Sequence, residues 1–159
     1  MFTEALGWEH GRQFLCVAFQ NRVAYAMGGT TLHTGGDIKV GNDRLRKLDH
    51  TDVDVLFTRN QDLRWVLADE VGMIADELLG EFEEQLSEAA VDCRYRYRAD
   101  GSARLFGGYN LACFGDLFQI PPIPSSAALF LPPKEHTARP SAAQGKSKTE
   151  RARTALNIF

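Results

Sequence analysis

Cysteine is scarce in this chain: three among 159 residues, Cys16, Cys93 and Cys113, with no C-x-x-C spacing. An odd count without paired spacing argues against a disulfide framework or a zinc ribbon and fits reduced, buried thiols. Long apolar runs are missing too, and no stretch approaches the length needed to cross a bilayer. The opening MFTEALGWEHGRQ has no basic segment leading into an apolar block, so it does not read as a secretory signal. Nor is one sign of charge in excess: 18 Lys and Arg oppose 21 Asp and Glu. That balance alone argues against nucleic acid, but the charges are unevenly spread. Asp76, Glu77, Glu81, Glu83, Glu84 and Glu88 crowd one segment, and Arg94, Arg96, Arg98 and Arg104 follow it. The arginines suffice for a local basic surface. A chain of this length buries one modest core, so one domain or part of one is expected.

What is present is a set of short apolar runs. FLCVAF at 14–19, WVLADE at 65–70 and LACFGD at 111–116 read as strands. Runs that short, without alternation, suit a parallel sheet covered on both faces. NRVAYAMGG at 21–29 has short helical character and ends at a glycine pair. The Gly-rich TTLHTGGDIKVGN reads as a loop, and 43–63 as a short helix or connector. Met73, Ile74, Leu78, Leu79, Phe82 and Leu86 recur at helical spacing. They predict an amphipathic helix whose acidic residues form a solvated face. RYRYRADGSARLF alternates about Asp100-Gly101, a hairpin-turn dipeptide. Strands interleaved with helices favour an α/β fold with a parallel sheet. Residues 1–133 form one unit, and 134–159 read as a polar, basic linker with the start of a further, truncated element.

The chemistry gathers at the strand ends, where open α/β sheets bind ligands. Asp69-Glu70 closes one strand. An Asp there can serve a magnesium ion, and the adjacent Glu can take a proton from an attacking water. The plainer reading is a chain leaving a sheet for solvent. Gly115, Asp116 and Gln119 close another strand before Pro121-Pro122. Gly115 lets the backbone approach closely; Gln119 can hydrogen-bond a γ-phosphate or the water. The two motifs in this order suggest about half of a nucleoside-triphosphate site.

VLADEVGM at 66–73, FGGYNLACFGDLFQIPP at 106–122 and GGTTLH at 28–33 together resemble the Pif1-like branch of superfamily 1 DNA helicases, including those of Helitron-type transposons. The resemblance covers roughly 14–133. It implies a P-loop NTPase domain of RecA-like α/β fold, a parallel sheet flanked by helices, using ATP with Mg2+. It further implies 5′-to-3′ unwinding with single-stranded and duplex DNA as partners, no membrane, and an intracellular residence in the nucleus or mitochondrion. By position, Asp69 would serve magnesium, Glu70 would activate water, Gln119 would sense the γ-phosphate, and Gly115 and Asp116 would lie beside the nucleotide. Thr31 and His33 fall on a segment that lies near single-stranded DNA in the family; His33 as a loop histidine capping backbone is the alternative.

The departures from the family pattern are specific. Phe19-Gln20-Asn21 stands where a Pro-Thr-Gly step is usual, Gly72 replaces a Ser, and Ile120 replaces a Leu. No G-x-x-x-x-G-K-[ST] run precedes Phe14, and Gly145-Lys146-Ser147 follows Pro140 with no strand leading into it. The expectation is therefore an incomplete domain, without its first strand and P-loop, that is inactive alone. The alternative is a catalytically dead, transposon-derived remnant that binds DNA or protein. Arg94, Arg96 and Arg98 interleaved with Tyr95 and Tyr97 fit a stacking platform for single-stranded nucleic acid. They equally fit an exposed strand with its tyrosines packed inward.

Overall fold

The computed structural model describes residues 2–39, 50–90 and 95–116. Four strands form one all-parallel sheet: β1 (Phe14–Ala18), β2 (Thr30–Thr31), β3 (Trp65–Asp69) and β4 (Asn110–Cys113), in the spatial order β2-β1-β3-β4. Among the described residues five helices accompany it: α1 (Phe2–Leu6), α2 (Asn21–Ala26), α3 (Leu32–Gly35), α4 (His50–Asn60) and α5 (Asp76–Ala89). The α/β class expected from the interleaved pattern is what forms. Among the described residues no helix is long and apolar enough to cross a membrane.

One face of the sheet holds the core. Leu15 and Val17 of β1 lie level with Val66 and Ala68 of β3, which lie level with Leu111 and Cys113 of β4. Onto this row packs the apolar stripe of α5, with Leu78, Leu79, Phe82 and Leu86 all buried. The predicted helix over this segment is present, with its N-cap at Ala75 making no side-chain bond. Asp76 and Glu77 occupy its first turn instead, where negative charge is favoured by the helix dipole.

The second face is covered unevenly. β1 is buried along its whole length, as a strand covered on both faces should be. In β3 only Val66 and Ala68 are buried, and β4 is half-buried throughout. Over the start of β1 and β3 the ring of Phe2 stacks on Phe14 with centroids 5.2 Å apart and lies 6.0 Å from Trp65. The two-sided cover read from the apolar runs thus holds for β1 and only in part for β3 and β4.

Two further expectations need correction. Thr30–Thr31 pairs with Val17 and Ala18 as a strand and Leu32–Gly35 is helical, so the start of the predicted loop is ordered structure. A two-residue strand has no apolar run to announce it. The acids of α5 form a solvated face only in part: Glu88 is exposed and Glu77 and Glu84 are half-buried, but Asp76 is 1 % exposed, Glu83 6 % and Glu81 9 %. Glu83 Oε1 accepts hydrogen bonds from Ser87 Oγ (2.8 Å) and Phe106 N (3.3 Å), which holds the 3-10 turn at 105–108 on the helix. Gly107 in that turn has φ +62, and a Cβ there would meet the side chain of Ala90. The FGG run is therefore a packing requirement as well as a family motif.

Cys16 is buried and Cys113 half-buried, both as free thiols. Burial pushes the Cys16 thiol up and that of Cys113 up to about 11. Both stay protonated and poorly nucleophilic at neutral pH. Cys93 lies outside the described residues.

Candidate active site

Parallel strands share one carboxyl pole, and the register places the candidate residues along it. Ala18 at the end of β1 is level with Asp69 on one side and Thr31 on the other. With neighbouring strands about 4.8 Å apart, Asp69 and Thr31 lie about 10 Å from one another across β1. Gly115 and Asp116 follow β4 on the other side of β3.

Asp69 is half-buried, and its Oδ1 accepts a hydrogen bond from Glu70 N at 2.8 Å. Glu70 sits in the left-handed region, φ 53 and ψ 39, uncommon for a residue with a side chain. Its Oε2 is buried and has no hydrogen-bond partner among the described residues. An uncompensated buried carboxylate oxygen costs stability, and such strain collects where a site demands a fixed geometry.

The two strand-end loops are bonded together. Val71 N donates to Phe114 O at 3.0 Å, and Phe114 N to Ala68 O at 2.8 Å. A Cβ on Gly115 would lie 3.0 Å from Val71 N, and one on Gly72 would lie 2.9 Å from the carbonyl oxygen of Asp116. The Gly72 departure therefore has a steric meaning beyond a lost hydroxyl: it allows the Asp116 backbone to close against the Glu70 turn. Sequence reading also missed a neighbour of this turn. Gln20, from the atypical Phe19-Gln20-Asn21 step, directs Nε2 to Met73 Sδ at 3.6 Å. Its position just past the end of β1 was the available signal.

Thr31 caps α3: its side chain accepts from Thr34 N at 3.2 Å and shares a hydrogen bond with Thr34 Oγ1 at 3.1 Å. His33 is half-buried on α3 next to it. The structure thus brings Asp69, Glu70, Gly115, Asp116, Thr31 and His33 to one pole. Arg96 is not among them. It belongs to the hairpin over the opposite pole, where β3 and β4 begin, and Arg104 of that hairpin bonds Asn110. β3 rises about 13 Å between the poles, so Arg96 and Thr31 do not form one patch. Gln119 and Arg94 lie outside the described residues.

Asp69 and Glu70 fit magnesium of one kind. Among the described residues no cluster of three or more His, Cys, Asp or Glu could hold a metal. One or two carboxylates suit an ion shared with substrate phosphates, as Mg2+ usually is, and do not suit an all-protein metal cage.

Sheet order, carboxyl-pole acids and the covering helices together define part of a RecA-like α/β domain. Comparison narrows the class. No protein-family model matches the chain. It is 30% identical over 118 residues to the ATP-dependent DNA helicase RRM3 of Saccharomyces cerevisiae, an alignment covering 72% of this chain and 15% of that protein. Bacteroides sp Pif1 in complex with ADP-AlF4 superposes with a TM-score of 0.53 at 26% identity, over 77% of this chain and 25% of that one. Bacteroides Pif1 bound to ssDNA superposes at 0.51 and 28% identity, over 71% and 24%. Over the matched part the chain is similar to Pif1-like superfamily 1 helicases, and it spans a quarter or less of the length of these relatives.

Proposed function

We propose that this chain supplies the magnesium and water-activating side of an ATPase site in a Pif1-like DNA helicase, with 5′-to-3′ unwinding of DNA as the work done. The observation that carries the reading is Glu70: a carboxylate held in a strained backbone position beside Asp69, with one buried oxygen lacking a partner among the described residues. A general base must come within hydrogen-bond reach of the water it deprotonates, and an oxygen not committed to another group is free to do so. Asp69, its Oδ1 engaged by the Glu70 amide, would hold the magnesium ion, which when bound neutralises phosphate charge. Gln119 would report the γ-phosphate, and Gly115 and Asp116 would border the nucleotide. Thr31 and His33, about 10 Å along the same pole, would contact single-stranded DNA. Residence with DNA in the nucleus or mitochondrion follows from the same reading.

The phosphate cradle must come from elsewhere. A P-loop is the turn after a strand, and a strand needs a sheet edge. Among the described strands the edges belong to β2, two residues long, and β4, four residues long and only half-buried. A strand paired in parallel to β4 would put its phosphate loop at the carboxyl pole beside Gly115 and Asp116, about 10 Å from Asp69 across β4. Residues 1–133 would then be the motif-bearing part of that domain and 134–159 a linker.

The test is ATP turnover with and without single-stranded DNA, by the 159-residue chain and by a version extended upstream of Phe14 with a strand, P-loop and helix. No turnover by the former and DNA-stimulated turnover by the latter is the expected pair. Turnover by the 159-residue chain above its Glu70→Gln control would refute the account of the cradle.

A further inference from the structure

The pole opposite Asp69 carries an arrangement that ATP chemistry does not use. Residues 95–104 fold over the start of β3 and β4 as a tight hairpin. Tyr97 bridges Ala103, Arg104 N donates to Arg96 O at 2.7 Å, and Arg98 N donates to Ser102 O at 2.9 Å. Asp100 and Gly101 make the turn, and the Ser102 hydroxyl holds the Asp100 carboxyl below its ordinary range. The tyrosines do not pack inward: Tyr97 is 56 % exposed and Tyr95 43 %. A guanidinium lies over each ring instead, Arg96 at 5.7 Å from the Tyr97 centroid and Arg64 at 5.5 Å from that of Tyr95.

Beside the hairpin a hollow of about 290 Å³ is lined by Arg98, Arg104, Trp65, Tyr109 and Asn110. A smaller one, about 110 Å³, shares Arg104 and Asn110 and adds Arg64 and Tyr95. Arg104 is fixed by donating to Tyr95 O and to Asn110 Oδ1, at 3.3 and 3.2 Å. Arg98 is fixed on Ser102 Oγ and Ala103 O, at 3.2 and 3.3 Å. Each guanidinium keeps further N–H donors. None of these four arginines forms an ion pair with a carboxylate among the described residues, though Asp100 acts on Arg98 through space.

We propose that this hairpin and its hollows bind a single strand of nucleic acid, at a site separate from the carboxyl pole. Positioned guanidiniums without an ion-pair partner among the described residues supply phosphate contacts, and exposed tyrosine rings with cations across them supply stacking for bases. An acidic peptide would answer the charge but would leave the exposed rings unused. The site stands apart from the ATP reading: it lies about 13 Å along β3 from Asp69 and needs no nucleotide.

The experiment is fluorescence anisotropy of a labelled oligothymidylate with the 159-residue chain. The double variant Arg96→Gln, Tyr97→Ala removes one cation and one ring on the exposed hairpin, so the fold should be retained, checked by circular dichroism. Binding should weaken about 10-fold, and the slope of log affinity against log salt should fall by about 0.7 for each phosphate that no longer meets a guanidinium. Unchanged affinity in that variant, or no oligonucleotide binding by the parent at low salt, would overturn the site. Loss of binding confined to a Thr31→Ala, His33→Ala variant would overturn it in favour of the carboxyl pole. Displacement of the oligonucleotide by polyglutamate, with affinity for polyglutamate insensitive to Tyr97→Ala, would overturn it in favour of an acidic protein partner. ATP turnover has no bearing on any of these outcomes.

Discussion

Glu70→Gln is expected to lower ATP turnover about 100-fold or more in the P-loop-extended chain, while ATP affinity stays nearly unchanged. Removing a positioned general base costs 10²–10⁴ in rate in typical cases, and the amide keeps the shape of the side chain. The stability of the fold should not fall. Glu70 Oε2 is buried with no hydrogen-bond partner among the described residues, so replacing it by an amide of the same shape breaks no hydrogen bond that this oxygen makes there. Phosphate release measured at saturating ATP, beside the affinity for a fluorescent ATP analogue, separates the two effects. A fall in affinity with turnover per bound nucleotide intact would move Glu70 from chemistry to binding.

Phe82→Ala carries the largest expected effect on the fold. Phe82 is fully buried at the centre of the core, its ring 6.2 Å from that of Phe106. It also lies so close to α3 that a Cβ on Gly36 would come within 2.6 Å of its Cδ2. α5, the 3-10 turn at 105–108 and the segment after β2 therefore meet at this one ring. Truncation should cost about 3–5 kcal/mol, a large share of the 5–15 kcal/mol that holds a typical domain folded. The midpoint of urea unfolding should drop sharply, with the slope of the transition unchanged. Phe82→Leu should cost much less. Equal losses in the two variants would mean that the ring does not fill the junction.

The parts of this fold that bury continuous apolar surface were readable from the chain. β1, β3 and β4 each carry an unbroken apolar run, and α5 repeats its large residues at helical spacing. β2 and α3 were not readable, because two threonines and a four-residue turn are ordered by pairing with β1 and by the Thr31 cap rather than by any local pattern. The acidic side of α5 misled for a related reason. Composition suggests solvent, yet Glu83 is enclosed by a turn that arrives 23 residues later and gives it an N–H to accept. At the candidate site, the place of Asp69 and Asp116 follows from the strand ends. The left-handed backbone of Glu70 and the close backbone approach at Gly72 do not, since both arise only when the loops after β3 and β4 meet. The arginine-tyrosine segment supported two readings in sequence, and only the hairpin geometry shows the rings facing outward.

In the function proposed above, Asp69 and Glu70 serve one magnesium–ATP site. This is tested most directly by counting Mn2+, as a paramagnetic stand-in for Mg2+, bound in the presence of ATP to the P-loop-extended chain and to its Asp69→Asn variant by electron paramagnetic resonance. One nucleotide-dependent Mn2+ is expected, its affinity falling about 10-fold or more in the variant, since losing even an outer-shell partner of a metal ligand costs 10–100-fold. Mn2+ bound equally well by both chains, or bound without regard to ATP, would contradict it.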